Sequence, residues 1–384
     1  MPRRKKKGFT GREKFITFVA LVLVVAISGV FFVYDGIVDE FRLNLGLAVA
    51  PSPSSQIQYV DRYTYNLDDL DYASPTGDLL DVHFIDVLQG DAVFIELPDG
   101  KTMLIDAGRH DTTSTATTYL IDYLTAENVD DNGLDYLVLT HSDADHVGGM
   151  DNILQAFSVR NVFMPELGSD RTAPYDNGTV KTATFEEFLF AVSAEPDVNV
   201  VFTTEENEDE LNIVGSNYSV TFYCAPAAYY EGVNGNSSSE IINNMSSVVI
   251  LEYAGRKVLL TGDLHSESED SDFAWSESHL IDRIGTALDV DVYKLGHHGS
   301  HSSSSLSMLQ FFTPEVGIAC VGDASQTSSK NSYSHPRPEA LNRLVAVGCN
   351  FLFRTDRHGS IVLSVGANGG MRFATQKDCA NIFA

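Results

Sequence analysis

Residues 139–149 read LTHSDADHVGG. His141, Asp143, Asp145 and His146 place four metal-ligand types within six positions, directly after the apolar run 134–140. Imidazole and carboxylate together suit zinc, manganese or iron. Four ligands on one turn can serve two ions that share a site. A polar turn that merely caps a helix, with Asp143 or Asp145 as the cap, needs one such residue, not four.

Later segments repeat the theme of a strand, a small-residue turn and then ligands. RKVLLTGDL (256–264) delivers Asp263 at a strand terminus, where a bridging carboxylate belongs. DVYKLGHHGSHSSSS (291–305) brings His297, His298 and Ser300 after a strand. NSYSHPRPEAL (331–341) sets His335 on a turn before a helix. An α/β sandwich builds a site at one sheet edge in this way.

The elements that position these residues are legible. LLDVHFIDV (79–87), AVFIEL (92–97) and TMLIDAG (102–108) read as three strands joined by tight glycine turns. Residues 117–129 have helical spacing, with Leu120, Ile121 and Leu124 on one side, and LDYLVLT (134–140) is the next strand. Strand–helix–strand alternation recurs to about Leu363, so the class is α/β. Gly148 and Gly149 are read as permitting the turn into a helix after the ligands. TEENEDE (204–210) reads as a solvated acidic loop and YYEGVNGNSSSE (229–240) as a surface excursion. His83 is expected in the core. His110, His265, His279, His301 and His358 are expected at the surface.

The chain has 384 residues, 53 acidic and 25 basic. Seven of the basic residues fall in the first fifteen positions, so the rest carries 18 basic against 52 acidic residues. Such a body repels polyanions at long range, and a sequence-independent nucleic-acid groove is not suggested by bulk charge. Cys224, Cys320, Cys349 and Cys379 contain no Cys-x-x-Cys pair, which argues against a zinc ribbon and leaves disulfides or buried thiols.

Phe15 to Tyr34 is 20 residues without a charge, enough for a helix of about 30 Å, the bilayer's hydrocarbon thickness. The basic cluster before it predicts a cytoplasmic amino terminus. A cleaved signal peptide is the competing reading, with Ala48-Val49-Ala50 as the small-residue pattern, but its apolar region is usually only about 7–15 residues. The expected organisation is a basic cytoplasmic tail (1–14), one transmembrane helix (15–34), a juxtamembrane segment and linker (35–77) and a catalytic domain (78–384). That domain would lie outside the cell on a single-pass anchor in the cell membrane.

VHFIDVLQGDAVFIELPDGKTMLIDAG, THSDADH, LLTGD, GHHGS and NSYSHP resemble, in order and spacing, the landmarks of the metallo-β-lactamase superfamily. Within it, they resemble the extracytoplasmic domain of ComEC-type competence (DNA-uptake) proteins. The resemblance covers about residues 79–365 and implies an αβ/βα sandwich with two divalent metal ions, zinc or manganese. It makes His141, Asp143, Asp145 and His146 ligands and Asp263 the bridge, with His297 or His298 completing one site. The assignment adopted here puts His297 among the ligands, and Asp145, Asp263, His298 and His335 among the catalytic groups. Ser300, Asn331 and Tyr333 are assigned to substrate, with the serines 302–305 as further hydroxyls or a flexible loop. Asp106 is read as a carboxylate that orients the ligand loop. Two departures stand out. Asp143 occupies a position where histidine is commoner in the superfamily, and no histidine lies between His146 and Asp263. The multipass channel of the competence proteins is absent from this chain's sequence, so DNA uptake itself does not carry over.

The expected activity is metal-dependent hydrolysis of a phosphodiester, with nucleic acid as the substrate class that the resemblance implies. His335 or His298 is the expected proton donor to the leaving group. A phosphodiesterase for phosphocholine or teichoic-acid-type esters, whose cationic headgroup suits acidic walls, is the alternative. A non-catalytic binding domain on the same fold is the third reading.

Overall fold

A computed structural model describes residues 72–109, 115–165, 183–195, 197–227, 242–266, 275–329, 331–349 and 351–377. The apolar run 15–34, most of the expected linker, residues 229–240, His110 and Cys379 lie outside the described residues. Among the described residues no helix is long and apolar enough to cross a membrane.

Two sheets face each other. The first has the order β15-β14-β1-β2-β3-β4-β5-β6. Its strands are β1 (Leu79–Phe84), β2 (Val93–Glu96), β3 (Thr102–Ile105), β4 (Leu134–Val138), β5 (Val159–Met164), β6 (Asn199–Phe202), β14 (Ile361–Gly366) and β15 (Met371–Thr375). The second runs β13-β12-β11-β10-β9-β8-β7. It comprises β7 (Ile213–Val214), β8 (Tyr218–Tyr223), β9 (Val248–Tyr253), β10 (Arg256–Leu260), β11 (Val292–Lys294), β12 (Val316–Ala319) and β13 (Phe351–Arg354). The three opening strands form an antiparallel meander, and β3 to β6 are parallel. In the second sheet β10 to β13 are parallel.

Side-chain alternation explains the layering. Val82 and Phe84 of β1 enter the apolar layer that holds Val249, Leu251, Val258 and Leu260 of the facing sheet. His83 points the other way and meets Tyr123 of the helix Thr115–Ala126, with Nδ1 2.9 Å from the phenol oxygen. It is buried, as expected of a core residue. Leu120 and Leu124 of that helix join a second apolar cluster on the outer face of the sheet. Residues 72–77, read as the end of a linker, lie against this body. The Tyr72 hydroxyl donates to Glu315 at 2.6 Å, and the Thr76 amide donates to Asn368 Oδ1 at 3.0 Å.

The acidic stretch 204–210 is a correction. It forms a short 3-10 turn, Glu205–Asn207, and begins the helix Glu208–Leu211. Glu208 is not simply solvated, because it accepts from Arg283 at 2.7 Å and from the Cys224 amide at 2.7 Å. Cys224, Cys320 and Cys349 are buried free thiols.

The parallel strands β3 and β4 of one sheet and β10, β11 and β12 of the other all end at one edge. Asp106 follows β3, the residues 140–146 follow β4, and Asp263 follows β10. His297 and His298 follow β11, and the segment carrying His335 follows β12. Open α/β sheets place ligands at such carboxyl ends.

Candidate metal centre

The ligand turn needs close backbone approaches. Gly90 has φ +146, and a Cβ there would lie 2.4 Å from the Asp145 carbonyl oxygen. The adjacent Asp91 amide donates to that same oxygen at 3.1 Å, which ties the β1–β2 turn to the ligand turn. Gly149 is required for a different reason than turning. A Cβ there would meet the Ala107 carbonyl oxygen at 2.5 Å, whereas Gly148 has ordinary helical angles. His297 and His298 both sit in the left-handed region, at φ 48 and 55. Non-glycine residues resist this conformation by roughly 1–2 kcal/mol each, and such strain concentrates at functional sites.

Among the described residues, donor atoms of Asp91, His146, Asp263 and His298 lie within 4.8 Å of one another. Hydrogen bonding divides this group into two layers. His146 Nδ1 is 2.7 Å from Asp106 Oδ2, an acceptor, so Nδ1 carries the hydrogen and Nε2 points inward. His298 Nδ1 donates to the Cys320 carbonyl at 2.9 Å and lies 3.2 Å from Asp91 Oδ1. The two Nε2 atoms are 3.3 Å apart. His146 Nε2 is 3.3 Å from Asp263 Oδ1, and His298 Nε2 is 3.4 Å from Asp263 Oδ2 and 3.6 Å from Asp145 Oδ2. Asp145, His146, Asp263 and His298 therefore converge on one point, while Asp91 and Asp106 stand behind the imidazoles and orient them. Asp91 is ion-paired with the buried Lys294, whose ammonium also donates to the Gly262 carbonyl at 3.0 Å and lies 3.7 Å from Asp263 Oδ1.

A divalent cation fits this donor set. Asp263 Oδ1 is buried without a hydrogen-bond partner, and two imidazole nitrogens and two carboxylates face each other within 3.3–3.6 Å. The titration directions agree. Burial opposes the charge on His146, but Asp263 and Asp106 outweigh it and hold the imidazole well above its usual range. For His298, Asp263 and Asp91 likewise outweigh burial. Asp263 resists burial through His146 and His298 and stays well below the carboxylate range. Asp145 is also held low against burial by its hydrogen bond with His298. Without a metal, protons supply the positive charge that these groups demand.

A second ring lies beside the first. His141 is fully buried, with Nδ1 3.0 Å from the Thr140 hydroxyl and 3.2 Å from that of Ser246, and its ring centroid is 4.1 Å from that of His146. Burial and the neighbouring His146 push its pKa well down, leaving a neutral imidazole. Asp143 is pushed up to about 7 by burial and then by Asp145. His297 reaches the far side of the bridge position, with Nε2 3.8 Å from Asp263 Oδ2. His335 is buried and stacks near-parallel on His298 with centroids 6.3 Å apart, and its Nδ1 has no hydrogen-bond partner. Burial, with His298 and His297 next, lowers its pKa to about 3, so it stands ready as a neutral imidazole rather than as a charged acid.

The expected substrate residues take different places. Tyr333 is 72% exposed and lies over His335, with ring planes 20° apart. Both amide hydrogens of Asn331 are directed at backbone carbonyls, those of Gly322 and His335, and its oxygen accepts from the His335 amide. Asn331 thus clamps the turn that carries His335. Ser300 is buried, with its hydroxyl 3.1 Å from that of Ser302. The serine run is anchored through its backbone. Ser303 and Ser304 are buried, Glu277 accepts from the Ser304 and Ser305 amides, and Arg343 donates to the Ser303 and Ser304 carbonyls at 2.7 Å.

Sequence reasoning missed four residues. Asp91 lies inside the run quoted for the family resemblance without a role of its own, and Lys294 reads as a strand residue. Arg109, with Nη2 3.6 Å from Asp145 Oδ1, brings a partly exposed cation to the rim. His265, expected at the surface, touches His297 at 3.1 Å. His358 is likewise buried rather than superficial. His265 follows Asp263 by two positions, a proximity that was a usable signal. A separate groove of about 530 Å³, lined in part by Asp151, Leu154, Glu186 and Phe190, contains no histidine.

Comparison with known proteins agrees with this architecture. The family model of the metallo-β-lactamase superfamily matches residues 85–220. ComE operon protein 3 of Bacillus subtilis (strain 168) is 28% identical over 294 residues, covering 73% of this chain and 32% of that protein. Competence protein ComA of Neisseria gonorrhoeae is 35% identical over 127 residues, 33% of this chain and 16% of that protein. This chain thus spans a third or less of the length of these relatives. Among solved structures, the metallo-β-lactamase fold protein YhfI from Bacillus subtilis aligns over 75% of this chain and all of its own, at 12% identity and a TM-score of 0.42. Its family match and its competence-protein relatives support a ComEC-type protein of the metallo-β-lactamase superfamily as what this chain resembles.

Proposed function

We propose that this chain hydrolyses phosphodiesters with the aid of two divalent cations, zinc or manganese, and that extracellular nucleic acid is its substrate class. The observation that carries the reading is the convergence of His146 Nε2, His298 Nε2, Asp145 and Asp263 on one point at the strand ends. These four would hold one cation. His141, Asp143 and His297 would hold the other, with Asp263 between them. Such cations polarise a phosphoryl oxygen and make a water acidic enough to attack near neutral pH.

The chain's own residues do the rest. Asp106, Asp91 and the Cys320 carbonyl fix the ligand imidazoles. Lys294 compensates Asp91 and Asp263 from below. Arg109 offers a cation to the phosphodiester's anionic oxygens at the rim. His335, neutral and turned towards His298, can exchange a proton with the leaving group. The acidic body disfavours long polyanions, so the cations and Arg109 must supply the local attraction. The placement we propose is a domain outside the cell, from about residue 78, held to the membrane by one helix over 15–34.

The exposed Tyr333 ring together with the acidic surface also suits a cationic headgroup, which favours phosphocholine-type esters as the second reading. A substrate panel with added manganese separates them. Degradation of single-stranded DNA supports the nuclease. Cleavage of choline phosphoesters with indifference to DNA selects the second reading. Metal uptake without turnover on any diester leaves a binding domain.

A further inference from the structure

The second ring of the metal centre has His141 as its buried imidazole, and no histidine lies between His146 and Asp263 to add another. His297 stands on the far side of the bridge position, with Nε2 3.8 Å from Asp263 Oδ2. An imidazole can serve there only if Nε2 carries a lone pair, which requires the hydrogen to sit on Nδ1. Something must therefore choose its tautomer.

Two residues stand where they can do so. His265 Nε2 is 3.1 Å from His297 Nδ1, with the ring planes 17° apart and the centroids 5.0 Å apart. The ring planes are near-parallel, and the nitrogen–nitrogen distance is within hydrogen-bond reach. Asn243 Nδ2 lies 3.1 Å from the same His265 nitrogen and 3.5 Å from His297 Nε2. An amide NH2 only donates. With the Asn243 amide in this orientation, His265 Nε2 must be an acceptor. The hydrogen shared between the two rings then belongs to His297 Nδ1, and His297 Nε2, 3.5 Å from the Asn243 amide and 3.8 Å from Asp263 Oδ2, carries a lone pair. The Ser302 hydroxyl, 3.4 Å from both His265 Nε2 and His297 Nδ1, can donate or accept and is compatible with this assignment, and reversing the Asn243 amide would reverse it.

We propose that Asn243 and His265 are positioning residues that set the tautomer of His297 and so present its Nε2 to a divalent cation beside Asp263. The pair thereby makes good the absent mid-chain histidine. This rests on the metal-dependent reading above and deepens it. Partners that hold the far nitrogen of a ligand histidine typically contribute about 10–100-fold in metal affinity.

The test uses the whole protein. Nitrogen-15 NMR of the imidazoles in metal-free protein reads the tautomer directly, and calorimetric titration with Mn2+ reads affinity. In the wild type, His297 should be the Nδ1–H tautomer. Asn243→Asp places acceptors where donors stood, so it should turn His297 to the Nε2–H form. It should also weaken binding at one Mn2+ site about tenfold or more, although an added negative charge alone would strengthen it. His265→Phe should weaken the same site similarly, and His265→Gln, which retains an acceptor, should bind near the wild-type level. If His265→Phe does not fold, the wild-type spectrum and Asn243→Asp still decide. An Nε2–H tautomer in the wild type, or unchanged affinity in Asn243→Asp, would overturn the proposal. Neither readout needs turnover. A protein that binds Mn2+ as described yet cleaves no diester would sink the phosphodiesterase reading and leave this one standing.

Discussion

His146 and His298 face each other across the two sheets with their Nε2 atoms 3.3 Å apart, each fixed from behind by an acceptor on Nδ1. Neutral rings in these tautomers would oppose two lone pairs at contact distance. The pair is therefore stable only with a positive charge between or upon the rings. That requirement, more than the count of ligands, marks the centre as a cation site.

Asp106 acts on this pair through His146 alone, with Oδ2 2.7 Å from Nδ1. Asp106→Ala should lower Mn2+ affinity by about 10–100-fold. Equilibrium dialysis against Mn2+ checks this, and Asp106→Asn should fall between the variant and the wild type.

Lys294 is 1% exposed and pairs with Asp91, which is 3% exposed. Lys294→Met strands a buried carboxylate, a change that costs about 3–5 kcal/mol. Urea unfolding of the metal-free protein should show this loss. The double variant Lys294→Met with Asp91→Leu should regain much of it, because neither charge then remains alone.

Glu277 holds the loop behind the ligand histidines by accepting from the Ser304 and Ser305 amides. Glu277→Ala removes a buried, charged acceptor and should cost about 2–3 kcal/mol. Amide exchange of residues 302–305 should accelerate in the variant while that of β1 and β14 stays slow.

His358 is a buried imidazole whose pKa is lowered, chiefly by burial. The unfolded chain therefore binds a proton more readily than the folded one. Stability from this residue is present above its ordinary pKa of about 6.5 and is lost as pH falls below it. The unfolding free energy should decline from pH 7 to 5 with a shallower slope in His358→Gln than in the wild type, by up to about 1.4 kcal/mol per unit of pKa displacement.

What the sequence reveals of this centre depends on distance along the chain. His146 and Asp263 are legible because each follows an apolar run at a small-residue turn, a purely local pattern. Asp91 and Lys294 are not, because their pairing joins strands of different sheets. The serine run misleads for the same reason. Its hydroxyls look available until Glu277 and Arg343, 27 or more positions away, turn the backbone inward. Asn331 looks like a polar pocket residue, yet its amide is spent on the Gly322 carbonyl and on the backbone of His335. His265 was discounted as one histidine among several, and only the fold puts it against His297. The opening strands β1 to β4 follow from apolar runs and glycine placement to within a few residues, whereas the two-sheet sandwich is implied by the family resemblance.

The account stands most directly on Mn2+-dependent hydrolysis of bis(p-nitrophenyl) phosphate by the wild-type protein and by Asp263→Ala. Turnover that rises with added Mn2+ and falls at least about 10²-fold in the variant is the predicted result, as expected when a group stabilising the transition state is removed. Equal turnover in the two proteins, or none in a wild type that has bound its metal, would contradict it.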